Sequence, residues 1–252
     1  MSTPTTIGGL QLWLDSSDNA TITKSGSTLT GWSDKSGNSN SSTSISGSPR
    51  ISTQYSNQYI DFSSSQISGP VSITNSTLSV FSVCILPDNA GTYSRIVSLG
   101  DQSNQDFNDT RYTAALFVFL DTQNIGALRN NTNFSIGSNT LSSPIIAASI
   151  FDSANGTIYV NGTDTNAFAS TGNFGINTYS LGSDVWQLAE FFSGSIGEVL
   201  IYNTALTLSQ RQLIEGYLAW KWGLNAQLPV AHPYYSTNPN AAIPASSEAA
   251  DL

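Results

Sequence analysis

Short apolar runs recur along this chain, separated by turn-forming clusters about every 8–12 residues. Runs of that length suit strands and are too brief for a helix that must bury a stripe over several turns. Leu10-Gln11-Leu12-Trp13-Leu14 alternates like a half-buried strand, and Tyr59–Phe62 is a short second one. Leu78–Leu86 is long and rich in β-branched residues. Ala114–Leu120 is nearly continuous in apolar residues, which predicts a central strand covered on both faces. Ile145–Phe151 follows. Thr157–Val160 runs into Asn161-Gly162, a strong tight-turn dipeptide, and Ser195–Tyr202 reads as the last strand. The Ser/Asn/Gly-rich stretch from Lys35 to Ser48 and the polar stretch from Asp101 to Arg111 read as loops. The expected class is all-β, a sandwich or barrel.

One helix breaks the pattern, at about 207–222. Thr207-Leu208-Ser209-Gln210 is a capping box. Leu213, Tyr217, Trp220 and Leu224 then follow at helical spacing, with Ile214 and Leu218 beside them. Gly223 stands where a left-handed stop belongs. Trp220 and Trp222 cannot share a helix face, so one should turn inward and the other cover the chain's tail. No composition shift marks a second domain. Residues 1–235 read as one domain including the helix, and 236–252 as an extended or flexible C-terminal tail.

The 252 residues suffice for a sizeable core without staples. Cys84 is the single cysteine, so no intrachain disulfide forms, and its apolar run predicts a buried, inert thiol. The net charge is −9, and the eight Lys and Arg are scattered from Lys24 to Lys221. Counterion release at phosphates needs clustered cations, so nucleic acid is a poor partner. No stretch is long and apolar enough to insert in a membrane. No secretory leader is visible at Met1-Ser2-Thr3-Pro4.

Several segments resemble a known family. Phe192–Leu206, containing Gly194-Ser195-Ile196-Gly197-Glu198-Val199, is similar to the final strand of laminin-G-like domains of the concanavalin-A-like lectin/glucanase superfamily. Ile214–Leu224 with Leu228-Pro229 and His232-Pro233-Tyr234 resembles the closing motif of a branch found in large DNA viruses, phages and environmental bacteria. Leu12-Trp13-Leu14-Asp15, Asp18 and Trp32–Gly37 resemble that branch's opening. The resemblance implies a jelly-roll sandwich of two antiparallel sheets. It implies less about function, because this fold hosts lectins, glycanases and structural modules.

Read by themselves, Trp13 and Trp32 are core anchors. Asp15, Asp18 and Asp34 suit Asx-type turn bonds, with a cation or ligand as the alternative. The superfamily's glucanases set catalytic carboxylates on one strand as Glu-x-Asp-x-Glu. Here the glutamates are Glu190, Glu198, Glu215 and Glu248, with no such triplet. His232 is the single histidine and reads as a surface or tail-packing residue; no His/Cys cluster could hold zinc. No catalytic residue is therefore expected. Asp101, Asn104, Asp106 and Asp109 offer the hard oxygens that calcium takes, set against the simpler reading of a solvated acidic loop. Trp186 beside Asp184, with Asn108 and Arg111 on the other loop, supplies a stacking plane and hydroxyl partners for a sugar.

The first reading from sequence is a non-enzymatic structural or decoration protein at a virion or particle surface, self-assembling or meeting other particle proteins, with contact to host glycans in scope. The second is a carbohydrate-binding module of a surface protein. The third is a glycosidase.

Overall fold

The computed structural model describes residues 4–86, 94–101, 113–118, 124–129, 133–137, 142–164, 167–185 and 188–240, with backbone alone over 113–118 and 133–137. In chain order the strands are β1 (Leu10–Asp15), β2 (Ile22–Ser25), β3 (Thr28–Trp32), β4 (Ser44–Ser46), β5 (Arg50–Gln54), β6 (Asn57–Asp61), β7 (Gln66–Ile73), β8 (Thr77–Ile85), β9 (Ser94–Gly100), β10 (Thr113–Val118), β11 (Ile125–Arg129), β12 (Asn133–Gly137), β13 (Pro144–Asp152), β14 (Asn155–Val160), β15 (Thr163–Asp164), β16 (Phe168–Ala169), β17 (Ile176–Leu181) and β18 (Ser195–Tyr202). A single α-helix among the described residues, α1, spans Leu208–Trp222.

The strands form two antiparallel sheets. The larger has eleven strands, ordered β15-β14-β13-β8-β18-β6-β5-β3-β2, with β1 on β18 and β16 on β14. The smaller has seven, ordered β12-β11-β10-β9-β17-β7-β4. The first and last strands pair directly, Trp13 opposite Leu200 and Asp15 opposite Glu198. Sequence ends are therefore neighbours at the centre of the larger sheet.

Side-chain alternation splits that sheet's residues between two interiors. Leu12, Leu14, Leu78, Val80, Cys84, Val199 and Ile201 face the smaller sheet and join one apolar core. Trp13, Phe81, Val83, Leu200 and Tyr202 face the other way, into a second core roofed by α1. This is why β8 and β18 read as near-continuous apolar runs: both of their faces are covered.

The helix starts on the expected capping box and stops at Gly223, whose φ of 72° is the left-handed conformation. Its buried face is centred further round than the sequence stripe. Ile214, Leu218 and Trp222 are buried, with Arg211 and Glu215 beside them, while Leu213 and Trp220 lie at the margin. Trp222 turns inward and Trp220 donates its Nε1–H to the Tyr234 carbonyl, as the two-faces argument required. Trp13 and Trp32 are buried. The Lys35–Ser48 stretch is not all loop, because β4 lies within it and pairs with Gln66–Ser68 of β7. No helix among the described residues is long and apolar enough to cross a membrane.

Candidate functional site

The smaller sheet presents small polar residues on its outward face. Tyr179 and Leu181 point into the sandwich, so Ser180 points out, level with Ser68 of β7 and Ser98 of β9. Beyond Leu181 the chain turns at Gly182, with φ of 83° and no room for a Cβ, which would stand 2.2 Å from the Phe62 ring. It then folds back over that outward face. Ser180 Oγ donates to the Ser183 carbonyl, and Gln66 Nε2 donates to Ser183 Oγ and the Asp184 carbonyl, each of these two at 2.7 Å. Phe192 N–H donates to the Gly182 carbonyl, so the ends of the excursion are joined at its base.

Three charged side chains meet at this closed loop. Arg95 of β9 donates from Nε to Glu190 Oε2 at 2.6 Å, and its backbone N–H donates to the Glu190 carbonyl. Asp184 is buried and its Oδ1 accepts from Val185 N–H. Burial pushes the Glu190 carboxyl above its ordinary range. Arg95 opposes this, and the nearby Asp184 charge adds to it. Glu190 also sits at φ of 52°, an uncommon left-handed conformation for a side chain of its size. A buried cation, two carboxylates and a strained backbone together mark a functional candidate on physical grounds.

Of the residues selected from sequence, Asp184 belongs to this cluster. Trp186, Asn104, Asp106, Asn108, Asp109 and Arg111 lie outside the described residues. Asp101 directly follows β9 and accepts from Asn177 Nδ2 at 2.8 Å. Because β9 and β17 are antiparallel, Asp101 and Asp184 stand at opposite ends of the pair. The step from Asn177 to Leu181 alone is about 13 Å of strand. Among the described residues no group of three His, Cys, Asp or Glu is placed to hold a metal. Arg95 carries no signal at the level of sequence, because nothing in Ser94–Gly100 spaces a cation against an acid far along the chain.

A second polar constellation joins the sequence ends. Glu198 is fully buried beneath α1. Its Oε1 accepts from Trp13 Nε1 and Tyr217 Oη, at 2.7 and 2.8 Å. Its Oε2 accepts from Lys221 Nζ and Trp222 Nε1, both at 2.7 Å. Lys221 also reaches Asp15 Oδ2, which Lys35 shares. Burial raises the Glu198 carboxyl, with Lys221 opposing. Burial would also raise Asp15, but Lys221 and Lys35 outweigh it and hold that carboxyl below its ordinary value. Asp34 accepts from the backbone of Trp13, Ser36 and Asn40, and Asp18 caps Ala20. These aspartates make the expected turn bonds, and Asp15 and Asp18 add ion pairs with Lys35. His232 packs the tail onto the helix by contacting Glu215 Oε2 at 3.1 Å. With Glu198 saturated by four donors, this constellation cross-links β1, β18 and α1.

The sandwich and its motifs define a lectin-like domain, and comparison with known proteins agrees. The laminin-G-type model of the concanavalin A-like lectin/glucanases superfamily matches residues 54–210, and the chain belongs to that superfamily. A search of curated protein sequences finds no significant match. Among solved structures, domain 4 of AbnA, a GH43 extracellular arabinanase from Geobacillus stearothermophilus in complex with arabinotriose, aligns with a TM-score of 0.58 at 18% identity, over 80% of this chain and 95% of that one. Trypanosoma rangeli sialidase in complex with sialic acid aligns with a TM-score of 0.59 at 13% identity, over 85% of this chain and 33% of that one. The binding domain of Paraclostridial Mosquitocidal Protein 1 aligns with a TM-score of 0.56 at 15% identity, over 82% and 52%. This chain thus spans about a third of the sialidase chain and half of the mosquitocidal protein's binding-domain chain. At these identities the likeness is one of fold.

Proposed function

We propose that this chain is a non-catalytic carbohydrate-binding domain, with the Asp184–Glu190 loop as its sugar-facing surface. The observation that carries the reading is how the described glutamates are engaged. Glu198 is closed off by four donors, Glu215 is held by Arg211 and His232, and Glu190 is paired with Arg95. Structural engagement of all three leaves a domain suited to holding a sugar rather than cleaving one. The arabinotriose-bound arabinanase domain supports this, since it aligns over almost its whole length. The loop's Asp184, Glu190 and Arg95 supply acceptors and donors for hydroxyls, and Trp186 in the same loop would supply a stacking plane. Decoration of a virion or particle is a finer reading of the same fold. It rests on the resemblance of the closing motif, whereas the arabinanase domain favours sugar binding.

One observation favours a hydrolase instead: Glu190, with its raised carboxyl, lies near Asp184. The two readings separate in a turnover assay on β-glucan, arabinan and sialyl-lactose, run with the full chain and Glu190→Gln. The binding reading expects no product from either protein, and retention of glycans on an array. Hydrolysis lost in Glu190→Gln would replace it with a glycosidase.

A further inference from the structure

The larger sheet carries a feature that the loop site does not use. The hairpin between β5 and β6 turns at Tyr55 and Ser56, with φ of 49° and 63°. Positive φ at both central positions is the type I′ turn, which strongly prefers Asn and Gly. A tyrosine there is costly, and its ring is 58% exposed, which makes Tyr55 the only exposed large aromatic side chain among the described residues. The ring is nevertheless fixed, because its hydroxyl donates to the Ser142 carbonyl at 2.5 Å. An exposed aromatic plane held at both ends is preorganised, so a ligand would lose little entropy ordering it.

The ring stands between two depressions. On one side lies a cleft of about 600 Å³, walled by Tyr55, Asn57, Pro144, Trp220, Lys221 and Gln227. On the other lies a hollow of about 230 Å³ reaching Gln54, Ser142 and Ser193. The polar groups of the cleft are oriented. Asn57 Nδ2 donates to the carbonyls of Tyr55 and Trp222, leaving Oδ1 as an acceptor. Gln227 Oε1 accepts from Asn161 Nδ2, leaving Nε2 as a donor. The one charged wall residue, Lys221, has its ammonium committed to Asp15 and Glu198. Three aromatics (Tyr55, Trp220 and Trp222), one oriented acceptor, one oriented donor and no free charge suit hydroxyls and C–H faces, and reward no ionic group.

We propose that this cleft is a second binding site, taking a short stretch of neutral glycan laid across the Tyr55 ring. The proposal rests on the carbohydrate-binding reading of the chain. Its site lies on the larger sheet, apart from the Asp184–Glu190 loop.

The test is a titration of immobilised neutral oligosaccharides (arabino-, xylo-, cello-, malto- and chito-series), with sialylated and sulfated glycans as charged counterparts. The proteins are the full chain, Tyr55→Gly, Tyr55→Asn and Glu190→Gln. Glycine and asparagine both suit the left-handed turn, so both variants should melt at or above the wild-type temperature. Both should lose neutral-glycan affinity by about tenfold or more. Undiminished binding by the two Tyr55 variants would overturn the site while leaving the carbohydrate reading standing, as would retention of charged glycans alone. Failure of the wild type to hold any glycan would overturn both.

Discussion

Leu14 and Asp15 are neighbours on one strand and face two different interiors. Leu14 points between the sheets, where Leu12, Ile60, Val80, Cys84, Val199 and Ile201 make an apolar core. Asp15 points under α1, where apolar packing surrounds a chain of ions from half-buried Lys35 through buried Asp15 and half-buried Lys221 to buried Glu198. The sheet-on-sheet interior is specified many times over, because two pleated faces interlock along every strand. A lone helix on a sheet is less constrained and could slide or rotate at small cost to its apolar contacts. Directional bonds from Trp13, Tyr217, Lys221 and Trp222 to one carboxylate fix its register. The network therefore serves specificity more than net stability, in keeping with the modest return expected from buried ion pairs.

The largest effect should come from breaking that network at its hub. Glu198→Ala leaves four donors facing an empty space and takes from the Lys221 ammonium one of its two carboxylates, and should cost about 3–5 kcal/mol in urea unfolding. A loss under about 1 kcal/mol would mean that the four bonds contribute little and that apolar contact seats the helix. Leu14→Ala is the matched control on the other face. It should cost about 2–5 kcal/mol through lost transfer energy and a cavity, with the same loss at pH 3 and pH 7 because no ionisable group is touched. A pH-dependent loss there would show that the two interiors are coupled.

How much of this was legible in sequence follows from the same contrast. Strands covered on both faces left long apolar runs, so β8, β13 and β18 were readable. The helix was readable from its cap to its stop, because Thr207, Gln210 and Gly223 act through local backbone geometry. Strands of the sandwich with one polar or half-exposed side were missed. β2 is largely exposed and β5 only half-buried, and β7, β9 and β17 interleave serines that face outward with apolar residues that face in. Gly69 and Pro70 also argue against a strand at β7. The structure accommodates Pro70 beyond the reach of β4, where no partner needs its missing N–H. The carboxylate clusters were the least legible. Arg95 meets Glu190 across 95 residues, and Trp13 meets Glu198 across 185, and no spacing rule anticipates such pairs. Tyr55 gave no signal, because a turn position is defined by φ and the residue there breaks the usual preference.

The smallest effect probes the exposed end of the ion chain, at Lys35. Its ammonium lies 2.8 Å from both Asp15 Oδ2 and Asp18 Oδ2, and 4.4 Å from the centre of the Trp13 ring. Hydrogen bonding to Lys35 lowers Asp18, and Lys221 and Lys35 together overcome burial to lower Asp15, both from an ordinary 3.8. A carboxyl depressed in the folded state binds protons more readily once unfolded, so its stabilisation is full above that ordinary value. It is lost as pH falls through the folded values. Lys35→Met keeps the stem over Trp13 and removes the charge. Because Lys35 and Asp18 are partly exposed, the loss at pH 7 should be only about 1 kcal/mol. The difference between the two proteins should shrink as pH falls below about 4, through the lowered range of the two aspartates. Glu198, raised by burial, works in the opposite sense: the folded state takes its proton first, so stability rises as pH falls from its raised folded value towards the ordinary 4.5. That contribution is common to both proteins and cancels from their difference. Urea midpoints measured from pH 2 to pH 7 give the comparison directly. A constant gap across the whole range would mean that Lys35 acts through packing on Trp13, and that the ion chain ends at Asp15.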